Sequence, residues 1–224
     1  MHKIMLILVV FACFMAVGCG SKTNVSYAPP TQAHQAENTM VYNSNINRVW
    51  DAAIKSIGEK FFVLDNIAKD SRIITLSFSV NDPSNYIDCG NVTVETSGMT
   101  NSGTWTYAGA QPNAKYFLGD PNTPHPQPVN RTARLEGKAN IIFSEEGPNR
   151  TRVIVNVRYV MMTKFESQRW TQVGWGGFFT PTSSAHSVSF NTGQEGVASD
   201  GPGLRCVTRY TLEKSILEGI RGRL

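Results

Sequence analysis

Two periods of hydrophobic residues alternate along the chain. From Ile46 to Ile57 the apolar positions are Ile46, Val49, Trp50, Ala53, Ile54 and Ile57, spaced by threes and fours. That spacing sets them on one stripe of a helix, with Asn47, Arg48, Asp51, Lys55 and Ser56 opposite. Asn45 or Ser44 is placed to cap the first turn, and Gly58 to end the helix in a left-handed conformation. A helix of about twelve residues is marginal alone, so the stripe must dock on a sheet, and Trp50 reads as its core anchor. The period then falls to two. Phe61 to Asn66 is a short aromatic strand and Lys69-Asp70-Ser71 a polar turn. In the strand that follows, Ile74, Leu76, Phe78 and Val80 alternate with Thr75, Ser77 and Ser79.

Thr39 to Tyr42 predicts a first strand, and Val92, Val94 and Thr96 a third after the hairpin. The strongest hairpin pairs Arg131–Phe143 (Leu135, Ala139, Ile141, Phe143) with Thr151–Met162 (Val153, Val155, Val157, Tyr159, Met161) about a Glu145–Asn149 turn. The chain closes on a second helical stripe of Leu212, Ile216, Leu217, Ile220 and Leu224. Thr208 or Thr211 is placed to cap it, Glu213, Lys214 and Glu218 to face out, and Arg221 and Arg223 to meet the negative end of its dipole. Two stretches break the pattern. Ser97–Asn130 is rich in Gly, Pro, Asn and Thr, with Pro121, Pro124, Pro126 and Pro128 at its end. Lys164–Gly203 holds Gly174 to Phe179 at its centre and a short strand at Val188–Phe190. Both read as long loops.

This order predicts an α+β fold: an antiparallel sheet with helices on one face, the C-terminal helix packed on the sheet. Within Asn45–Phe78, Val49-Trp50-Asp51-Ala52-Ala53, Phe62-Val63-Leu64-Asp65 and Asp70-Ser71-Arg72-Ile73 resemble the repeat of the BamC family, lipoproteins of the outer-membrane β-barrel assembly machine. The resemblance implies a helix-grip-like domain, in which the sheet wraps the C-terminal helix.

The N-terminus carries a targeting pattern. His2 and Lys3 precede an apolar run from Ile4 to Phe14 that is too short for a stable membrane span. Ala16-Val17-Gly18-Cys19 then resembles the lipobox of bacterial lipoproteins. The resemblance implies that residues 1–18 are a signal peptide and that Cys19 becomes the first mature residue, with three acyl chains that hold it permanently on the membrane. Gly20-Ser21, in place of an aspartate, implies the outer membrane, with the domain in the periplasm. Residues 19–38, polar and holding Pro29-Pro30, read as a flexible tether, and 39–224 as a single domain.

Composition then narrows the function. A net charge of +4, one less without Lys3, is too small and scattered for a nucleic-acid partner. With Cys13 lost and Cys19 acylated, Cys89 and Cys206 are two thiols in an oxidising compartment, where a disulfide is expected. Redox catalysis wants a Cys-x-x-Cys spacing that the chain lacks. His34, His125 and His186 are isolated, so no metal site is expected. Neither a nucleophile elbow nor a phosphate loop is present, and no cofactor and no enzyme activity are expected. What stands out is the aromatic content of the two loops: Trp105, Tyr107, Tyr116, Phe117, Trp170, Trp175, Phe178 and Phe179. These rings either pin the loops to the domain or bind a partner; Trp and Tyr are enriched at binding hot spots. The expectation is a non-catalytic interaction lipoprotein of an outer-membrane assembly, meeting an envelope protein through Trp105, Tyr107, Trp175 and Phe178. The alternative is a ligand-binding module using a groove between the sheet and the C-terminal helix.

Overall fold

The alternation at 131–143 and 151–162 continues well past both ends, and the resulting ribbon is the spine of the molecule. The structure, a computed structural model, describes residues 20–31, 37–60, 62–174, 176–198 and 203–224. The signal-peptide and lipidation readings at residues 1–19, and Trp175, lie outside them. In chain order the elements are β1 (Lys22–Ala28), β2 (Thr39–Tyr42), α1 (Ile46–Gly58), β3 (Val63–Ala68), β4 (Ile73–Val80), β5 (Ile87–Asp88), β6 (Asn91–Ser97), β7 (Gly103–Ala108), β8 (Asn113–Asp120), β9 (Thr123–Gly147), β10 (Arg150–Val173), β11 (Gly176–Asn191), β12 (Gly196–Val197), β13 (Arg205–Thr208) and α2 (Thr211–Arg221). The main sheet runs β11-β10-β9-β4-β3, with β2 added to β10 and β8 to β9. Two smaller sheets, β1-β6-β7 and β12-β13-β5, complete the fold, and every pairing is antiparallel.

β9 and β10 pair from Gly147↔Arg150 to Val129↔Ser167. Their odd-numbered residues share one face, because successive side chains alternate across a strand. That face buries Val129, Leu135, Ile141 and Phe143 of β9 and Val153, Val155, Val157, Tyr159 and Met161 of β10. The even-numbered face shows Lys138, Asn140, Arg152, Asn156 and Arg158 to water. Both helices cover one half of the apolar face. Trp50 of α1 meets Phe143 with ring centroids 5.1 Å apart, and Ile57, Ile216, Leu217 and Ile220 are at most 2% exposed. Each such side chain contributes about 1.5–3 kcal/mol by burial. Asn45 caps α1, its Oδ1 accepting from the Arg48 N–H at 3.0 Å, but the helix ends at Gly58 without a left-handed residue. α2 has no side-chain cap of its own; Thr208 instead accepts the Tyr210 N–H just before it. Gly137 is needed where β4, β9 and β10 cross. Its neighbours are Phe78 and Tyr159, and a Cβ would lie 2.6 Å from the Phe78 ring.

The other half of the apolar face is covered by the β1-β6-β7 sheet. A second cluster forms there from Val92, Val94, Tyr116 and Val129, with Tyr27, Trp105, Tyr107, Leu118, Phe165 and Leu204 around it.

This corrects the α+β, helix-grip-like expectation. Strands make up 61% and helices 14% of the chain, with two helices among the described residues, so the fold is largely antiparallel β. The sequence-predicted loops are strands: Ser97–Asn130 contains β7, β8 and the start of β9, and Lys164–Gly203 contains the end of β10 and all of β11. The tether expectation fails as well over residues 22–28, which pair along their whole length with β6 as β1. Pro124, Pro126 and Pro128 do not break β9 because they fall at alternate positions, where the missing N–H groups all face one edge. That edge is the one β10 leaves: its pairing stops at Val129↔Ser167, and the Pro124 carbonyl there accepts the Met99 N–H at 2.9 Å. Finally, Glu213 was expected to face water and is 0% exposed.

Candidate functional site

Beyond Ser167, β10 has lost β9, and β11 has no partner but β10 among the described residues. Arg169↔Thr180 to Val173↔Gly176 is therefore a two-stranded ribbon turning through Gly174, which has φ +58°. Its rings are out in solvent. Phe178 is 56% exposed, Phe179 46% and Val173 60%, and Trp170 meets Phe179 edge-on at 4.9 Å. All ten residues from Gly176 to Ala185 are exposed. The outer edge of β11 pairs with no strand among the described residues; the strand carries no Asp, Glu, Lys or Arg, and Pro181 is its one position without a backbone N–H. The other long edge of the sheet, β3, is shorter and holds Asp65, which pairs with Lys138 at 3.3 Å.

The ribbon tip lies at the same end of the spine as the start of the described chain. Val129 pairs Ser167, so the beginning of β9 and the end of β10 point the same way. At that end Ser21 is 1% exposed, and its Oγ donates to the Thr123 carbonyl at 2.8 Å and accepts the Asp120 N–H at 2.8 Å. Gly20 is packed against the Pro121 carbonyl too closely for any side chain. Met99, 71% exposed, sits on the neighbouring β6–β7 turn.

Between the small sheet and the main sheet, at the root of the ribbon, lies a cavity of about 340 Å³. Val92, Val94, Leu118, Val129, Phe165 and Leu204 form its walls. Tyr107 and Tyr116 stack across it with centroids 5.6 Å apart and planes 12° from parallel, and burial raises the pKa of both phenols. Arg131 also lines it at 3% exposure. Its Nη1 donates to the Gln111 carbonyl at 2.8 Å and its Nη2 to the Gly109 carbonyl, and its Cζ lies 5.3 Å from the Tyr107 ring. No carboxylate among the described residues reaches it, and burial pushes its pKa down.

The sequence-predicted contact residues therefore separate. Trp105 and Tyr107 pin β7 to β8: Trp105 lies 5.5 Å from the Phe117 ring and Tyr107 on Tyr116. Phe178 stands free on the ribbon. Cys89 and Cys206 are disulfide-bonded. The groove expected between sheet and C-terminal helix is filled by Leu212, Ile216, Leu217 and Ile220, each at most 1% exposed. Arg131 was missed, yet its parity marks it: it is the charged residue in the odd-numbered series of Val129, Ala133 and Leu135. Among the described residues no three His, Cys, Asp or Glu side chains gather as metal ligands, and no helix is long and apolar enough to cross a membrane. The chain matches no known family profile, no curated protein and no solved structure.

Proposed function

We propose that the chain is a non-catalytic lipoprotein of the bacterial outer membrane, acylated at Cys19, with its domain in the periplasm, and that it holds an envelope protein along the β10–β11 ribbon. The observation that carries this reading is the open, uncharged edge of β11 beside exposed Phe178 and Phe179. Soluble proteins guard such edges with charge, proline, bulges or cover, because an open edge recruits another strand; β11 has Pro181 alone over sixteen residues. A partner that adds an extended segment gains the backbone hydrogen bonds, with the rings giving side-chain contacts. The edge also argues for protein rather than lipid: unpaired N–H and C=O groups are not tolerated in hydrocarbon. The lipobox at Ala16–Cys19 supports the anchor.

The test is site-specific photo-crosslinking in cells, with the anchor intact, from Thr180 on the ribbon and from Asn149 on the far turn. A discrete protein adduct from Thr180 alone is expected. Phe178→Ala should weaken that association by more than about 1 kcal/mol while the circular dichroism of the domain is unchanged. Adducts to lipid alone, or equal adducts from both sites, overturn the reading.

A further inference from the structure

We infer that the cavity between the two sheets binds a small amphipathic anion, a single apolar tail ending in a carboxylate that meets Arg131. A guanidinium carries five N–H donors, and Arg131 uses two, on the Gln111 and Gly109 carbonyls. Those contacts hold the β7–β8 connection but do not neutralise the cation. Burying a charge without a counter-charge is costly, and this one is 3% exposed with no carboxylate in reach among the described residues. Burial of the cation is tolerated best where an anion arrives to meet it, and a planar guanidinium is matched to a carboxylate's two oxygens.

The walls define the rest of the ligand. Val92, Val94, Leu118, Val129, Phe165 and Leu204 offer hydrocarbon, which suits an apolar body, while Thr163, Ser167 and His186 add a few polar side chains to the lining. The volume of about 340 Å³ lies at the small end of the usual range of roughly 300–1,000 Å³ for ligand sites. That admits one unbranched tail rather than a two-chain lipid. Ser184, exposed on β11, stands at the rim. The site lies at the root of the ribbon and not along its free edge, so the inference does not depend on the partner-binding reading.

Calorimetric titration of the full mature chain tests it, with dodecanoate and dodecyltrimethylammonium below their micelle concentrations and dodecanol below its solubility limit. Dodecanoate should bind at least about tenfold tighter than dodecanol, since a charge-assisted hydrogen bond is lost with the head group, and the cation should not bind. Arg131→Met should bring dodecanoate down to the dodecanol level. Ser184→Trp, at the rim and away from the core, should block both, and it keeps the test valid if the Arg131 variant fails to fold. Equal binding of dodecanoate and dodecanol to the wild-type chain, or binding of neither, overturns the inference.

Discussion

Glu213 shows how much a single side chain is asked to do in this core. It comes from α2 into a site with no solvent exposure, where Tyr159 donates to Oε2 at 2.7 Å and Thr192 to Oε1 at 2.8 Å, with Thr208 at 3.5 Å. Burial raises its pKa above the ordinary 4.5, and the hydroxyl donors pull it back by less. A carboxyl whose folded pKa is raised holds its proton longer in the folded state. Its contribution to stability is complete below about pH 4.5 and is lost as pH rises through the raised folded value. Glu213→Gln keeps an acceptor for the hydroxyls and removes the titration. Thermal unfolding at about pH 5 and about pH 8 should therefore show a larger fall in melting temperature for the wild type than for the variant. The same fall in both would mean that other groups set the slope. Helical spacing could not show this residue as buried: Glu213 lies beside Leu212 on the rim of the stripe, and its partners Tyr159 and Thr192 are distant in sequence. Arg131 was legible in principle, because a charge in a series of apolar parity is a local anomaly.

At the scale of elements, what the hydrophobic pattern revealed depended on whether one side chain type dominated each face. α1, β4, the middle of β9 and β10, and α2 bury an unbroken aliphatic series on one side, though Ile73, Ile142, Ile154 and Val160 fall on the other, and each element stands where its period predicts. β7, with Thr104, Trp105, Thr106 and Tyr107, alternates just as regularly, but Thr and the aromatics sit between Gly-, Asn- and Ser-rich turns that read as loop. In β9 the prolines read as breakers, although one edge of the strand has no ladder to lose there. The smallest elements depend on covalent help. β5, β12 and β13 have two to four residues each, and the Cys89–Cys206 bond ties the segment between β5 and β6 to β13. It spans 117 residues, for which the chain-entropy model gives roughly 4–5 kcal/mol. Reduction and alkylation should lower the unfolding free energy by up to about 5 kcal/mol, read as a drop in the denaturant midpoint. A drop equivalent to less than about 1 kcal/mol would show that the short strands hold without it.

For the whole molecule, the finding with most consequence is that the N-terminal segment is part of the sheet. A flexible tether over residues 19–38 would have let the domain drift on the order of 25 Å from its membrane. Instead the chain is held from Gly20 onward, by Pro121 packing, by Ser21 on Asp120 and Thr123, and by the β1–β6 ladder. Two residues of chain span no more than about 7 Å when extended. With acyl chains on Cys19, as proposed, the bilayer must meet the end of the spine that carries the Asp120–Thr123 turn, exposed Met99 and the ribbon tip. β9 has 25 residues, a contour of about 80 Å at 3.3 Å each, so the opposite turn at Gly147–Arg150 is held far from the surface. The ribbon edge then works at the membrane face, where an embedded or membrane-bound partner would present a strand to it. Single fluorophores at Asn122→Cys and Asn149→Cys, on the acylated protein in vesicles with headgroup-attached quenchers, report the geometry directly. Strong quenching at position 122 and little at 149 is expected. Comparable quenching at both would mean that the domain lies flat or swings freely, and that the N-terminal strand does not set its orientation.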